Sequence, residues 1–410
     1  MPVVVQKYGG SSLATAEKIR VVAGKICARR SSGVDLVVVV SAMGDTTDDL
    51  IALARLASGP SHVPDPREMD TLLSTGELVT ATLMAIAIRS MGHDVVSLSG
   101  PQAGVRTDSR HGSARIADID TTRLKRELGS GKIVIVAGFQ GLAETEDVTT
   151  LGRGGSDTTA VAIAAGLKAS RCEIFTDVDG IYTTDPRLVP DARKLREIGY
   201  EEMLELASLG AKMNPRSIEL GAVYDVEILV ASTFEDKPGT LIHGESRMME
   251  VRKAVTGVAV TRNVGKIMVR GVEDRPGVAA EIFEPLAEAG ISVDVIVQNA
   301  GADGKADISF TVAEGDLDRA LAITERCQSC SAGGVTGGRG FSKVSIVGTG
   351  MTNSPGYAAR MFRALSAAGV NIDMITTSEI RITCIIDAPL VEKAARSLHR
   401  AFGLHEASAG

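Results

Sequence analysis

The chain is poor in aromatic residues and cysteine, and each shortage excludes a class of protein. Its 410 residues include no tryptophan, and aromatic side chains make up 3% of the total. The five cysteines are scattered, so the sequence predicts no disulfide framework and favours a cytoplasmic protein. Cys327 and Cys330 form a lone C-x-x-C without further ligands at zinc spacing, which indicates ordinary reduced thiols.

Long basic runs and long apolar runs are also missing. The net charge is −7, which argues against nucleic-acid binding as the main task. No uninterrupted apolar run reaches the length of a bilayer-spanning helix, so we expect no membrane span. The N-terminus lacks a basic region and enters an apolar stretch at once, which predicts no signal peptide. A hydrophobic content of 44% is typical of a soluble α/β protein of two or three domains.

The first 240 residues alternate apolar strands with helical segments. The predicted strands are 3–5, 36–40, 95–98, 133–139, 173–176 and 226–230. The predicted helices are 14–30, 48–57, 68–91, 121–129, 158–167 and 200–209. Strands rich in β-branched residues, separated by helices, predict a mostly parallel sheet covered on both faces. Ligands bind such sheets at the carboxyl ends of the strands.

A glycine turn follows the first strand. Residues 3–12 read V-V-V-Q-K-Y-G-G-S-S, so Gly9, Gly10 and Ser11 leave backbone N–H groups accessible beside Lys7. Free amides and a lysine at a helix N-terminus suit the transferring phosphate of a nucleoside triphosphate. The spacing is not that of a P-loop, and the alternative is a tight connection that binds nothing.

A second glycine-rich loop lies at 151–159, between the strand 133–139 and an alanine-rich helix. It reads L-G-R-G-G-S-D-T-T, and we predict that Ser156 or Asp157 caps the helix. Arg153 among three glycines suits a bidentate clamp on a carboxylate or phosphate. The alternative is a structural hairpin.

Polar residues also interrupt two apolar segments. Ser41 and Thr47 follow the strand 36–40 and suit either a polar substrate or the cap of the next helix. Glu77 lies within an apolar helical pattern and is predicted to be partly buried. A buried carboxylate needs a cation, for which a substrate ammonium group and a structural arginine are both candidates.

The segment after the strand 173–176 carries aromatic, basic and acidic residues. Tyr182 is suited to stack on a base, and Arg187 and Lys212 are suited to reach phosphates. No histidine or cysteine cluster indicates a transition metal, and no metal is expected to be bound by protein side chains alone. Carboxylates suited to Mg²⁺ carried by a nucleotide are Asp177, Asp179 and Asp185.

The C-terminal part contains an internal repeat. Residues 274–280 align with 353–359 at a constant offset of 79, and each copy reads strand, Pro-Gly, amphipathic helix, glycine, strand. This order is the first half of a βαββαβ unit. The amides after Pro-Gly suit the carboxylate of a small effector, and the alternative is a pure dimerisation surface. The predicted parts are a catalytic domain 1–245, a linker with a first strand 246–262, and repeats 263–340 and 341–410.

The motifs together resemble the aspartate kinases. These are K-Y-G-G-S-S, S-A-M-G-D-T-T, S-T-G-E, G-F-Q-G, L-G-R-G-G-S-D-T-T-A and T-D-V-D-G-I-Y-T-T-D-P-R, in that family's order. The repeats resemble its paired ACT domains. The resemblance implies a three-layer αβα amino-acid kinase fold followed by two ferredoxin-like ACT domains. It implies phosphorylation of the L-aspartate β-carboxylate by ATP with Mg²⁺, as the first step of lysine, threonine and methionine biosynthesis.

The resemblance also assigns roles to individual residues. Lys7 would neutralise charge on the transferring phosphate, and Asp157 would orient the Lys7 region. The implied aspartate site is Ser41, Thr47, Glu77, Arg153 and Ser156. The implied nucleotide site is Lys7, Gly9, Gly10, Ser11, Thr176, Asp177, Tyr182, Arg187 and Lys212.

Regulation and assembly follow from the same resemblance. Threonine, lysine or both would be feedback effectors, with threonine favoured at the first repeat. The implied effector residues are Asp274, Gly277, Ala279 and Gln298 in the first repeat and Asn371, Ile375 and Ser378 in the second. The chain would form a homo-oligomer, or an α2β2 assembly in which translation starting near Met248 or Met249 gives a separate regulatory subunit.

Two segments depart from the family pattern. The stretch 210–217 is one residue short, so the following helix is expected to start early and to alter the aim of Lys212. The glycine-rich stretch 333–340 is expected to form its strand poorly. Two alternative functions stay open, namely a catalytically impaired amino-acid-binding homologue and a related carboxylate kinase.

Overall fold

The computed structural model describes residues 1–59, 62–244, 254–301, 304–330, 333–351 and 355–406. These form two compact units. Unit 1 comprises Met1–Ile181 and Lys194–Met249, and unit 2 comprises Tyr182–Arg193 and Glu250–Gly410. The segment Tyr182–Arg193 therefore groups with the repeats, although the sequence predicted it within the catalytic domain. The predicted boundary at 245–246, Met248 and Met249 lie outside the described residues.

The main sheet of unit 1 has eight strands. In chain order they are β1 Val3–Tyr8, β2 Asp35–Val40, β3 Val95–Leu98, β6 Ile133–Ala137, β9 Arg171–Thr176, β10 Glu197–Gly199, β11 Ile228–Ser232 and β12 Thr240–His243. Their order across the sheet is β10-β12-β11-β9-β1-β2-β6-β3, and only the β11–β12 pair is antiparallel. A smaller sheet contains β4 Val105–Thr107, β5 Ile116–Ile119, β7 Gln140–Leu142 and β8 Val148–Thr150. The prediction of a mostly parallel sheet is confirmed.

Helices cover both faces of this sheet. They are α1 Ala16–Ser31, α2 Thr46–Ser58, α3 Pro66–Ser90, α4 Thr122–Gly129, α5 Gly155–Leu167, α6 Tyr200–Ser208 and α7 Pro215–Tyr224. On one face, α1 and α3 pack on alternate residues of β2 such as Leu36 and Val38. The intervening residues, such as Val37 and Val39, are fully buried on the other face, where α5 contacts β1 and β2. Strands buried on both faces explain the nearly continuous apolar runs in the sequence.

Helix α3 has 25 residues and is long and apolar enough, by length and composition alone, to cross a membrane. Its face carrying Leu73, Met84 and Ile88 is buried in unit 1. A core helix that packs on a sheet passes the same test of length and composition.

Unit 2 is built on one antiparallel six-stranded sheet. Its strands are β13 Gly257–Glu273, β14 Val293–Ala300, β15 Lys305–Ala313, β16 Val335–Val347, β17 Met374–Thr377 and β18 Arg381–Asp387. Its helices are α8 Val278–Glu288, α9 Leu317–Glu325, α10 Tyr357–Ala367 and α11 Val391–Ala401. The sheet order is β14-β15-β13-β16-β18-β17, so the two long strands at its centre serve both repeats.

The expectation that 333–340 forms its strand poorly is wrong from residue 335 onward. Residues 335–347 form β16, in which 335–338 pair with β13, the register shifts at 339–340, and 341–347 pair with β18. A Cβ on Gly337 would lie 3.3 Å from Leu321 of α9. The missing side chain therefore lets α9 pack closely on the strand, and this contact offsets the low strand propensity of glycine.

The segment Tyr182–Arg193 is anchored inside unit 2. Val189 is buried in the core formed by β16, β18, α10 and α11. The Thr183 carbonyl accepts a hydrogen bond from Val258 N at 2.7 Å, and its hydroxyl lies 2.9 Å from His399 Nε2. These contacts make the segment an integral part of the unit that contains the repeats.

Candidate active site

Lys7 and Asp157 form an ion pair at the carboxyl end of the sheet. Lys7 Nζ lies 2.6 Å from Asp157 Oδ1, and the two side chains are 11% and 13% exposed. Lys7 belongs to β1 at the centre of the sheet, and Asp157 lies in the first turn of α5. The structure therefore brings together two residues that are 150 positions apart in sequence, as the resemblance implied.

The strand before Lys7 is held in register by a polar network on the opposite face. Gln6 Nε2 donates to Glu173 at 2.8 Å, and Arg29 donates to the other oxygen of that carboxylate at 3.1 Å. Gln6 and Glu173 are register partners in β1 and β9. A one-residue slip would turn Lys7 into the core, so this network supports its position at the site.

The first glycine turn packs against the loop that carries Ser41. Gly44 N donates to Gly10 O at 3.1 Å, and Ser41 N donates to Tyr8 O at 3.2 Å. A Cβ on Gly10 would lie 2.7 Å from the Ala42 carbonyl oxygen, so only glycine fits there without movement. The loop leads into α2, whose first turn contains Thr47. The contact brings Gly9, Gly10 and Ser11 to the same edge as the predicted substrate residues.

Glu77 is a buried carboxylate with one unused oxygen. The residue is 3% exposed on α3, and its Oε1 accepts a hydrogen bond from Ala42 N at 3.1 Å. Its Oε2 has no hydrogen-bond partner among the described residues. Burial raises the pKa of Glu77 to about 7. No arginine of the described residues pairs with Glu77, so the alternative of a structural arginine is not supported and an external cation is favoured.

Arg153 extends from the second glycine loop toward α2. Its side chain is 94% exposed, and its Nη2 lies 3.4 Å from Oδ1 of Asp48, the residue after Thr47. The flanking Gly152 and Gly154 have φ of 77° and 74°, a region that favours glycine. The guanidinium is therefore accessible to a ligand carboxylate at the edge where Thr47 lies.

The predicted helix cap in this loop is wrong. Helix α5 begins at Gly155 with Gly154 as its N-cap, and neither Ser156 nor Asp157 caps it through a side chain. The left-handed backbone at Gly154 starts the helix at Gly155, three residues before the predicted start at 158. Ser156 is buried in the first turn, and Asp157 is thereby free to pair with Lys7.

The predicted nucleotide residues of unit 1 lie after β9. Lys212 Nζ is 2.8 Å and 2.9 Å from the two Asp177 oxygens, and Thr176 donates to Asp177 at 3.0 Å. The hydrogen bond from Lys212, and to a smaller extent that from Thr176, holds the pKa of Asp177 below its usual value. Lys194 pairs with Asp179 at 3.0 Å. Thr176, Asp177 and Lys212 are thus together as predicted, although Lys212 is engaged by a carboxylate.

Two other predicted nucleotide residues belong to unit 2. Tyr182 and Arg187 lie in the segment Tyr182–Arg193. Arg187 is mostly exposed and pairs with Asp185 at 2.7 Å, which lowers the pKa of Asp185. Their assignment to a nucleotide site stays a prediction.

The predicted effector residues divide between opposite edges of the unit 2 sheet. Gly277 is the N-cap of α8 with φ of 95°, Asp274 and Ala279 lie close to it in sequence, and Gln298 is exposed on β14. Asn371 precedes β17, Ile375 lies on it and Ser378 follows it. β14 and β17 are the two outer strands. Four strands separate Gln298 from Ile375 within one chain, and the assignment of both sets to an effector site stays a prediction.

Sequence reasoning missed three residues, of which two bind the second glycine loop and one binds Thr150, the residue before it. Asp70 is fully buried and accepts hydrogen bonds from Gly112 N, His111 and the Thr150 hydroxyl. Asp70 is seven positions before Glu77, hence on the same face of α3, and this spacing was an available signal. The other two are Asn214 and Arg216.

Comparison with known proteins agrees with this architecture. Residues 2–232 match the amino acid kinase family, and residues 267–326 and 344–402 match the ACT domain. The chain is 49% identical over 410 residues to an aspartokinase of Corynebacterium glutamicum, covering 98% of this chain and 97% of the relative.

Two solved structures of E. coli aspartokinase III are similar over almost the full chain. The complex with aspartate and ADP, in the R-state, has a TM-score of 0.81 and 26% identity, covering 97% of this chain and 99% of that one. The complex with lysine and aspartate, in the T-state, has a TM-score of 0.78 and 25% identity, covering 98% and 99%. The chain belongs to the amino acid kinase family and, within it, to the aspartokinases with tandem ACT domains.

Proposed function

We propose that the chain transfers a phosphoryl group from ATP to the β-carboxylate of L-aspartate and so produces 4-phospho-L-aspartate. The observation that carries the proposal is Glu77, a buried carboxylate beside the Ser41 loop whose Oε2 has no hydrogen-bond partner among the described residues, which a substrate ammonium group would supply. The aspartate and ADP bound by the similar E. coli enzyme support this choice of substrates. The reaction would supply lysine, threonine and methionine biosynthesis.

The reaction needs positioning and charge neutralisation more than proton transfer. The β-carboxylate of aspartate is ionised at neutral pH and is already a nucleophile, so no general base is required. Lys7 neutralises charge that builds up on the transferring phosphate, and Asp157 fixes the Lys7 ammonium group. Arg153 binds the α-carboxylate and Glu77 the ammonium group, while Ser41, Thr47 and Ser156 complete the aspartate site.

Mg²⁺ is proposed to arrive with the nucleotide phosphates. No group of three or more His, Cys, Asp or Glu side chains that would hold a metal occurs in the described ranges. Asp177 keeps a lowered pKa and stays ionised, so it suits an ion that is already bound to phosphates. The ion would neutralise phosphate charge during the transfer.

Regulation and assembly extend the proposal. Lysine bound to E. coli aspartokinase III in its T-state supports feedback by an amino acid, for which we propose threonine, lysine or both. We also propose a cytoplasmic homo-oligomer, with an α2β2 assembly as its alternative. Mass spectrometry of the natively expressed protein distinguishes these, because only the α2β2 form predicts a fragment that begins near Met248.

A hydroxamate assay tests the function directly. Purified protein, ATP and Mg²⁺ are incubated with aspartate or with glutamate, and hydroxylamine traps the acyl phosphate. We expect product from aspartate, reduced by added threonine or lysine. Product from glutamate alone would assign a related carboxylate kinase, and binding of amino acids without product would assign an impaired regulatory homologue.

A further inference from the structure

We propose that Asn214 is a positioning residue for aspartate binding, because its side chain fixes the backbone that carries Arg153. This inference rests on the proposed function and adds a residue to the same site. The segment 210–217 is the one whose shortened sequence was expected to start the following helix early and to alter the aim of Lys212. The structure gives the segment a second role at the glycine loop.

The Asn214 amide uses both of its ends. Its Oδ1 accepts a hydrogen bond from Arg216 N at 2.9 Å and so caps α7. Its Nδ2 donates to the Arg153 carbonyl oxygen at 2.7 Å. Serine or aspartate would also cap the helix, but serine is too short to reach the carbonyl and an ionised aspartate has no donor. The hydrogen bond to Arg153 therefore restricts the residue type at position 214 more than helix capping does.

The glycine loop is shaped around this amide. A Cβ on Gly154 would lie 2.2 Å from Asn214 Nδ2, so the amide occupies space that any other residue at 154 would fill. The φ of 74° at Gly154 also favours glycine. Steric fit and hydrogen bond thus select the same arrangement.

The Arg153 side chain has little else to fix its direction. It is 94% exposed, and its ion pair with Asp48 is long and joins two exposed groups, which contributes little. Its aim consequently depends on the loop backbone. Arg216 Nη1 holds that backbone on one side by donating to Leu151 O at 2.7 Å, and Asn214 holds it at Arg153 itself.

The same short segment reaches the nucleotide side. Lys212 lies two residues before Asn214 and is 2.8 Å from Asp177. Residues 212–216 therefore contact the proposed nucleotide residues and the aspartate loop at once. We infer that Asn214 tunes aspartate affinity, with smaller effects on kcat and on the KM for ATP.

The test replaces Asn214 by serine, which keeps a neutral helix cap and removes the donor. The KM for aspartate should rise about five- to tenfold, with kcat changed less than twofold. Asn214→Asp should raise it similarly. In an Arg153→Ala background, Asn214→Ser should cause no further rise in the KM for aspartate, because the amide acts through Arg153.

The control variant is Asp65→Ala, which removes the cap of α3. It should lower the melting temperature without changing the KM for aspartate.

A second readout does not depend on activity. Hydrogen exchange in peptides covering 151–156 should be at least tenfold faster in Asn214→Ser than in wild type, and unchanged in Asp65→Ala. Three results would each overturn the positioning role. The first is an unchanged KM for aspartate in an active Asn214→Ser enzyme, and the second is a rise in this KM in the Arg153→Ala background equal to the rise in wild type. The third is unchanged hydrogen exchange in the loop. An inactive wild type would instead contradict the proposed function, and the exchange measurement would still decide the role of Asn214.

Discussion

Lys7 Nζ and Asp157 Oδ1 lie 2.6 Å apart, with both side chains largely shielded from water. The pair joins the central strand of the main sheet to the first turn of α5, and Lys7 Nζ also lies beside Gly9 of the first glycine turn. An ammonium group held this way keeps its position without a substrate. Preorganised charge of this kind is worth most where charge develops during the reaction.

Removing the Lys7 charge should therefore affect the chemical step. Lys7→Ala should lower kcat roughly a hundredfold, which corresponds to about 3 kcal/mol of lost transition-state stabilisation. Arg153→Ala should instead mainly raise the KM for aspartate, because its guanidinium is proposed to bind the α-carboxylate. Steady-state kinetics with aspartate and ATP varied separately distinguish the two effects. Unchanged constants in both variants would contradict the site assignment.

Glu77 should make aspartate binding depend on pH. Burial raises its pKa to about 7, so the carboxylate that attracts an ammonium group forms only as the pH rises through that value. The KM for aspartate should fall between pH 6 and pH 8. Glu77→Gln should give a higher KM that lacks this dependence, and an unchanged slope in this variant would assign the titration to another group.

The same raised pKa predicts an effect on stability. A carboxyl whose pKa is higher in the folded state stabilises the fold below its unfolded pKa near 4.5, and this contribution is lost as the pH rises through about 7. Glutamine is neutral at every pH, so the Glu77→Gln variant does not lose this stabilisation as the pH rises. At pH 8, Glu77→Gln should raise the free energy of unfolding by up to about 3 kcal/mol relative to wild type. Urea denaturation at pH 5 and pH 8 measures the difference, which should shrink at pH 5.

Gly10 offers a steric test of the contact between the first turn and the Ser41 loop. Gly10→Ala places a Cβ 2.7 Å from the Ala42 carbonyl oxygen, so the loops must separate. We expect a lower melting temperature and a lower kcat. Gly24→Ala in α1 is the matched control, since its Cβ meets no described atom within 4 Å, and it should stabilise the helix by about 0.5–1 kcal/mol. Equal effects of the two variants would argue against the contact.

Effector binding should require more than one copy of the chain. Gln298 of the first predicted effector set lies on β14, and Ile375 of the second lies on β17, the two outer strands of the sheet. A site that includes both residues therefore needs the edge strands of two chains. Calorimetry should show heat on adding threonine or lysine, and Gln298→Ala should weaken binding. Sedimentation should show that the effector favours the oligomer. Absence of heat with lysine, threonine or methionine would leave the repeats as a scaffold.

The sequence by itself determined the architecture of the site. Apolar strands followed by glycine turns and charged residues predicted a parallel sheet with ligand-binding residues such as Lys7 and Arg153 at its carboxyl edge, because strand ends of one polarity meet at one edge. The constant offset predicted two similar repeats, and the sheet of unit 2 contains strands of both. Both features are encoded locally, by residue type and spacing.

Other features were decided only by tertiary contacts. A strand from 335 onward survives its glycines because α9 packs on it, and the start of α5 depends on a left-handed Gly154 rather than on a capping side chain. Asn214 reaches Arg153 across 61 positions, and Tyr182–Arg193 joins unit 2 through the burial of Val189. Local propensity cannot predict such contacts, because their energy depends on which distant residues the completed fold places beside them.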